Sequence, residues 1–279
     1  DLNQIVSGLR PGWRLHVASG INETGLIAAH AVPNDTSLSQ RQALVIDLNR
    51  NPPLVTEIPD RGFTDYSLYP DINDLGEIVA AFRIEEYLFG HYICTYDAES
   101  GTISAPQILP VVAADTRWPR INNAGDVVGI ENISDGYRIP RNGAIERFSG
   151  LRPKEINGSG VFCGGTTVVA GKGKNATSNY AFLYGNSLQT FSESSFAIDL
   201  NDTNDFIGAA VYVTLNHRQH GSLVIKDLLD PASSSLIQYK SNLYVDTLTE
   251  RMPGTGFPIL TGRYQYLNVG VQLFPVAPE

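Results

Sequence analysis

Cysteine is scarce: two in 279 residues, Cys94 and Cys163, too few for the disulfide framework of a small secreted scaffold. They fall in repeats that should not touch, so two free, buried thiols are expected. Positive charge is also in short supply, with 20 Lys and Arg against 29 Asp and Glu, a net charge of −9 and a pI near 5.0. That balance argues against nucleic acid or an anionic membrane as the main partner. No apolar run approaches the length of a membrane-spanning helix, so membrane insertion is not expected. No stretch keeps a helical period over a useful length. The opening Asp1-Leu2-Asn3 does not read as a signal peptide, and the expectation is a mature or trimmed chain.

Catalytic signatures are missing as well. There is no G-x-S-x-G, no H-E-x-x-H and no paired C-x-x-C. The basic glycine stretch Gly171-Lys172-Gly173-Lys174 lacks the strand-to-helix context that cradles phosphate, and reads as an exposed loop. No cofactor and no metal are implied.

What the chain has instead is repetition. Asp71-Ile72-Asn73-Asp74-Leu75-Gly76-Glu77-Ile78-Val79-Ala80-Ala81 reads as strand, tight turn, strand. Related copies begin at Ile21-Asn22, Ile121-Asn122, Ile156-Asn157 and Leu200-Asn201, with a worn one at Met252-Pro253. A spacing of roughly 35 to 50 residues points to a propeller, solenoid or array. Three residues after each Asn stands Gly25, Gly76, Gly125, Gly160 or Asn204, and Gly256 holds the same place in the worn copy. Gly and Asn tolerate positive φ, and the Asn side chain can bond nearby backbone, so each copy is a closed turn. Small residues follow on the second strand (Ala29, Ala80, Gly129, Gly164, Gly208), which suggests tight packing of sheet on sheet.

Four short strands per unit match one propeller blade each, giving an all-β, six-bladed β-propeller as a single domain over 1–279. The last unit runs out of chain after three strands, while Asn3 to Val6 is a spare strand candidate. The expectation is that it completes the last blade and closes the ring. In the fifth unit, Thr214 to His220 reads as a loop and Ser222 to Ile225 as the strand after it.

Segments such as A-S-G-I-N-E-T-G (18–25), I-N-N-A-G-D-V-V-G (121–129) and N-Y-A-F-L-Y-G-N (179–186) resemble the HAF-repeat extracellular proteins of bacteria. The resemblance covers most of the chain and departs at Pro253, where Asn is expected. The terminal Leu273-Phe274-Pro275-Val276-Ala277-Pro278-Glu279 is similar to the segment before a sorting tail in such proteins. The family implies a propeller-like fold and a secreted or surface-attached location. It brings no agreed activity. A monomer is expected.

With the Asn turns on one face, the opposite face carries the most variable loops, where function concentrates on a rigid scaffold. The expected ligand there is a glycan or another cell-envelope component. Candidate binding residues are Arg83, Glu85, Glu86 and His91 beside Tyr87 and Phe89, then His217, Arg218 and His220. The two histidines of the second group lack an identifiable third metal ligand. Two residues before each repeat position stand Gly20, Asp71, Arg120, Glu155, Asp199 and Arg251, and after Gly20 acid alternates with base: Asp71, Arg120, Glu155, then Asp199, Arg251. These read as interblade ion pairs or, if Asp71, Glu155 and Asp199 are catalytic, as carboxylates for glycoside hydrolysis or polysaccharide cleavage. Arg neighbours would keep them ionised, which suits a nucleophile better than an acid. His16 and His30 lie within strands and read as core or channel residues. The function classes that remain are a single-site binder, a carbohydrate-active enzyme and a structural or adhesive module.

Overall fold

The repeat asparagines close their turns. In this computed structural model the Oδ1 of Asn22, Asn73, Asn122, Asn157 and Asn201 accepts the main-chain N–H four residues on, at 2.8, 3.0, 2.8, 3.0 and 2.8 Å. The position three residues after each Asn is left-handed, with φ of 82° at Gly25, 73° at Gly76, 84° at Gly125, 79° at Gly160 and 65° at Asn204. Only glycine, or asparagine at some cost, sits there readily.

The structure describes residues 2–35, 40–59, 67–85, 88–113, 119–132, 134–169, 177–192, 196–209, 213–219, 221–225, 243–251, 258–264 and 269–273. The chain divides into two compact units, 1–149 and 150–279. In the first unit, β1 (Trp13–Ile21), β2 (Leu26–Pro33), β3 (Gln42–Asp47) and β4 (Leu54–Glu57) form one antiparallel sheet in chain order. The second sheet joins β5 (Ser67–Ile72), β6 (Glu77–Glu85), β7 (Leu88–Asp97) and β8 (Thr102–Ile103), with β9 (Gln107–Ala113) also on β7. The third holds β10 (Arg120–Ile121), β11 (Val127–Ile130), β12 (Gly136–Ile139) and β13 (Glu146–Phe148).

The second unit repeats the plan. One sheet is β14 (Leu151–Ile156), β15 (Phe162–Val169), β16 (Thr177–Tyr184) and β17 (Leu188–Phe191). The next is β18 (Phe196–Leu200), β19 (Phe206–Ala209), β20 (Val213–His217) and β21 (Gly221–Val224). The last has three strands among the described residues, β22 (Leu243–Arg251), β23 (Pro258–Tyr264) and β24 (Val269–Leu273).

Neighbouring sheets bury apolar side chains between them. Leu26, Val45, Ile72, Ile78 and Tyr92 form the cluster between the first and second sheets. Val79, Val111, Ile121, Val127 and Tyr137 form the next. Leu183, Leu200 and Phe206 do so in the second unit, where Cys163 is buried; Cys94 is buried in the first, and both thiols are free. The repeat Asn has a second task, which its spacing did not disclose. Asn22 Nδ2 donates to Asn73 O at 2.9 Å and Asn73 Nδ2 to Asn122 O at 3.0 Å; in the second unit Asn157 Nδ2 reaches Asn201 O at 3.0 Å. The following residue adds a rung, with Glu23 N donating to Asp74 Oδ1 at 2.8 Å, Asp74 N to Asn123 Oδ1 at 2.9 Å and Gly158 N to Asp202 Oδ1 at 2.6 Å. Within the first unit the three turns are thereby stitched in series, and within the second the Asn157 turn is stitched to the Asn201 turn.

Three features differ from the sequence reading. Residues 3–6 are not a strand: Leu2–Gln4 is a 3-10 turn, and a single parallel bridge joins Ser7 to Leu54. Asn3 Oδ1 takes the N–H of Leu15 at 2.7 Å, and Leu2, Val6 and Leu9 pack on the cluster of Ile27, Leu44, Ile46 and Val55. The segment therefore covers the first sheet. Of the small residues, Ala80 packs in the cluster between the first two sheets as expected, whereas Gly129 and Gly164 serve cross-strand partners, pairing with Tyr137 and Phe182. A Cβ on Gly129 would lie 2.6 Å from Tyr137 Oη, so the ring occupies the space a side chain would need. In the fifth repeat Val213–His217 is a strand, β20, paired with β19 and β21. Its alternation is short and ends in polar Asn216 and His217, which disguised it as a loop.

Candidate functional site

The most unusual side-chain arrangement of the first unit lies where its first two sheets meet. The β1–β2 hairpin pairs Val17 with His30, and a bulge between Leu15 and Val17 turns His16 toward the same side. His16 Nδ1 and His30 Nε2 are 3.1 Å apart, one proton between two rings. His16 is exposed; His30 is fully buried, and its Nδ1 has no hydrogen-bond partner. Tyr69 of β5 meets His30 edge-on, ring centroids 5.5 Å apart, and its hydroxyl accepts from Arg41 Nη1 at 3.5 Å. His30 lies midway along the hairpin, between the Trp13–Pro33 pair at one end and the Ile21–Ile27 pair beside the Asn22 turn.

The backbone at Tyr69 is strained. Its φ of 48° is left-handed in an aromatic residue, inside a bulge between Leu68 and Asp71. Such a conformation costs about 1–3 kcal/mol and persists only where its surroundings enforce it. Here Ala81, Phe89 and Ala113 pack against the ring, and Ser19 Oγ donates to the next carbonyl, Pro70 O. Both histidines are held neutral. Burial, then Arg41, then His16 bring the His30 pKa down to about 4. Burial, Arg41 and Arg14 lower that of His16. A neutral imidazole open to solvent, a phenol and a guanidinium can take a proton, give one and offset negative charge.

A second histidine pair lies in the same unit. His91 Nδ1 and Tyr137 Oη are 2.5 Å apart, and both residues are fully buried. Burial takes His91 to about 4 and, with Glu131, pushes the Tyr137 hydroxyl well up. His91 is thus inside β7 and not on the loop where its neighbours suggested a binding lip. Of that group, Glu85 is exposed and its carbonyl accepts from Arg83 Nε at 3.4 Å; Glu86 and Tyr87 lie outside the described residues.

The acid–base alternation resolves into latches. Asp71 Oδ2 accepts Ile121 N at 3.0 Å from the next sheet. Burial raises its pKa, opposed by Arg120 and by the amides of Ile121 and Ile72. Gly20, the odd member of the alternation, is explained by the same carboxylate: a Cβ there would fall 2.6 Å from Asp71 Oδ1. Asp199 accepts Leu200 N at 3.0 Å and, from β22, Leu248 N at 2.8 Å; Glu155 accepts Ile156 N at 3.0 Å. Arg251 ends β22, and its side chain is outside the described residues. These carboxylates serve main-chain donors, many of which a strand leaves over at a bulge.

His217 ends β20, Arg218 follows it, and both line a cleft in the second unit, at the end of the sheet that carries the Asn201 turn, while His220 is outside the described residues. Among the described residues no three His, Cys, Asp or Glu side chains converge as a metal site, and no helix is long and apolar enough to cross a membrane. The residues missed as a site were His16, His30, Arg41 and Tyr69. Counting back from the Asn22 turn on an even ladder sets His30 opposite Ala18, and the bulges in β1 shift that register to Val17 and bring His16 to His30. Neither the His pair nor the left-handed Tyr69 was therefore within reach of the sequence.

No family model and no curated protein matches the chain. Solved structures do. Over 92% of its length, and 79% of the other chain, it is similar to the β-propeller domain of the Trilobed protease from Pyrococcus furiosus, with a TM-score of 0.58 at 12% identity. It also aligns over 94% of its length with 44% of an acylaminoacyl peptidase from Pyrococcus horikoshii, TM-score 0.53 at 11% identity. At such identities the likeness defines the fold: an all-β chain of β-propeller type.

Proposed function

We propose that this chain is a carbohydrate-active propeller that cleaves uronate-bearing polysaccharide by β-elimination at His16, His30, Tyr69 and Arg41. The observation that carries the reading is the neutral His16–His30 pair set against a strained Tyr69 whose hydroxyl meets Arg41. A site that only binds needs neither a proton shared between two imidazoles nor a tyrosine held in a costly conformation.

In the tautomer where His16 Nδ1–H donates to His30 Nε2, His16 presents its Nε2 lone pair to solvent. That nitrogen takes the C5 proton beside the uronate carboxylate. The electron pair forms the C4–C5 double bond, the C4–O bond breaks, and the Tyr69 hydroxyl gives its proton to the departing oxygen. Arg41 offsets the charge that gathers on the carboxylate as C5 loses its proton. Buried His30 keeps His16 in the right tautomer and position.

The six repeats, three sheets in each unit, favour a single six-bladed ring. The Ser7–Leu54 bridge uses the N-terminal segment within the first sheet, which favours a ring without strand exchange, as in the open velcro topology of the Pyrococcus furiosus domain. The HAF-like repeat suggests a monomer secreted or displayed on a bacterial surface. The test is turnover on sulfated and unsulfated uronate polysaccharides, followed by the ultraviolet absorbance of the new double bond. Absorbance growing with wild type and absent with His16→Ala supports elimination. Binding without turnover returns the protein to the glycan-binding class, and silence on both to a structural module.

A further inference from the structure

The second unit holds a cleft that the catalytic reading does not use. It has a volume of about 650 Å³, within the roughly 300–1,000 Å³ of small-molecule sites, and lies between β16–β17 and β19–β20. One wall is aromatic: Phe191 and Phe206 meet edge-to-face with centroids 4.8 Å apart. The rest of the lining mixes apolar Val161 and Leu183 with polar side chains, among them Asn186, Gln189 and Asn216, and Arg218 stands at the exposed rim. Among the described residues no Asp or Glu lines it, in a chain of net charge −9.

Asn216 is the telling residue. It is 5% exposed, its Nδ2 donates to Thr214 Oγ1 at 3.2 Å, and its buried Oδ1 accepts nothing. A buried acceptor left open costs stability unless something supplies a donor. The rim is built with equal definition: Arg218 N donates to buried Asp205 Oδ1 at 2.9 Å, and Gln219 N to His217 Nδ1 at 3.2 Å, fixing the turn that carries the guanidinium. Ring surface, amide donors and acceptors, and a guanidinium at the rim are the chemistry that holds an acidic sugar.

We propose that this cleft is a second saccharide-binding site that takes a uronate residue. A sugar face lies on Phe191, a hydroxyl donates to Asn216 Oδ1, and the carboxylate meets Arg218. The site stands on the chemistry of the cleft and does not depend on elimination at His16.

Calorimetric titration with methyl glucuronide and methyl glucoside tests it, because neither carries a leaving group at C4. The titrations use full-length chain carrying His16→Ala, which removes the catalytic cluster as a competing site. The expected result is glucuronide binding in that background, tighter than glucoside. Arg218→Gln then weakens the glucuronide at least about tenfold and erases the preference. Ser222→Trp, a substitution at an exposed position on the rim, abolishes both. Absence of binding in the His16→Ala background, or binding that survives Ser222→Trp, overturns the site. Loss of polysaccharide turnover is read separately and leaves these outcomes standing.

Discussion

Two histidine pairs in the first unit start from the same physics and end differently. His30 and His91 are each fully buried and brought to about 4, so each is neutral over the physiological range. His91 spends its Nδ1 on Tyr137, itself sealed between sheets, and nothing of the pair reaches water. His30 spends its Nε2 on His16, which is exposed, with Arg41 and Tyr69 beside it. A depressed pKa is therefore common to a structural pair and to a chemical one. What separates them is a route to solvent, a cation and a strained neighbour.

Loss of turnover, the largest class of effect, is expected from the site of the open pair alone. Arg41→Gln removes the charge that offsets the developing carboxylate anion and should lower kcat/KM by about 10²–10³, with the melting temperature little changed. Equal loss from a substitution at the sealed pair would erase the distinction.

Both pairs should make the fold sensitive to acid. Their folded pKa values lie below the ordinary 6.5, so the unfolded chain binds protons first as pH falls. Stability is full above about 6.5 and drains between there and about 4, on the order of 3 kcal/mol for each histidine. Denaturant melts across that range measure it. The double change His91→Leu with Tyr137→Phe should remove about half of the slope.

Asn73 supports both pairs, because its turn is stitched to the sheets on either side. Asn73→Ala deletes the bonds to Asn122 O at 3.0 Å, to Glu77 Oε2 at 2.7 Å and from Glu77 N at 3.0 Å. The expected loss is about 2–3 kcal/mol in chemical denaturation. The smallest effect is Gly20→Ala, whose new Cβ would press on the Asp71 carboxylate; about 1–2 kcal/mol is expected, with the strain close to Tyr69 and not to Tyr137.

Much of the fold was legible because one short motif carries its own explanation. Asn, three residues later Gly, then β-branched residues state the turn and the strand after it, and five copies state the architecture. The reading slipped where local polarity disguised a strand, at Asn216-His217, and where a side chain competed with the ladder, at Asn3. The interblade task of Asn22, Asn73 and Asn157 was invisible because a turn already accounted for the residue. The candidate site was the least legible part. His16 and His30 are ordinary strand residues until bulges in β1 and β5 aim them, and no pattern in the letters marks Tyr69 as left-handed.

The most direct measurement compares two tyrosine hydroxyls. Turnover of a uronate polysaccharide, followed by absorbance of the new double bond, would be recorded for wild type, Tyr69→Phe and Tyr137→Phe. The account predicts a loss of about 10²–10⁴ for Tyr69→Phe, as removal of a general acid gives, and near wild-type turnover with lower stability for Tyr137→Phe. Full activity in Tyr69→Phe would contradict it.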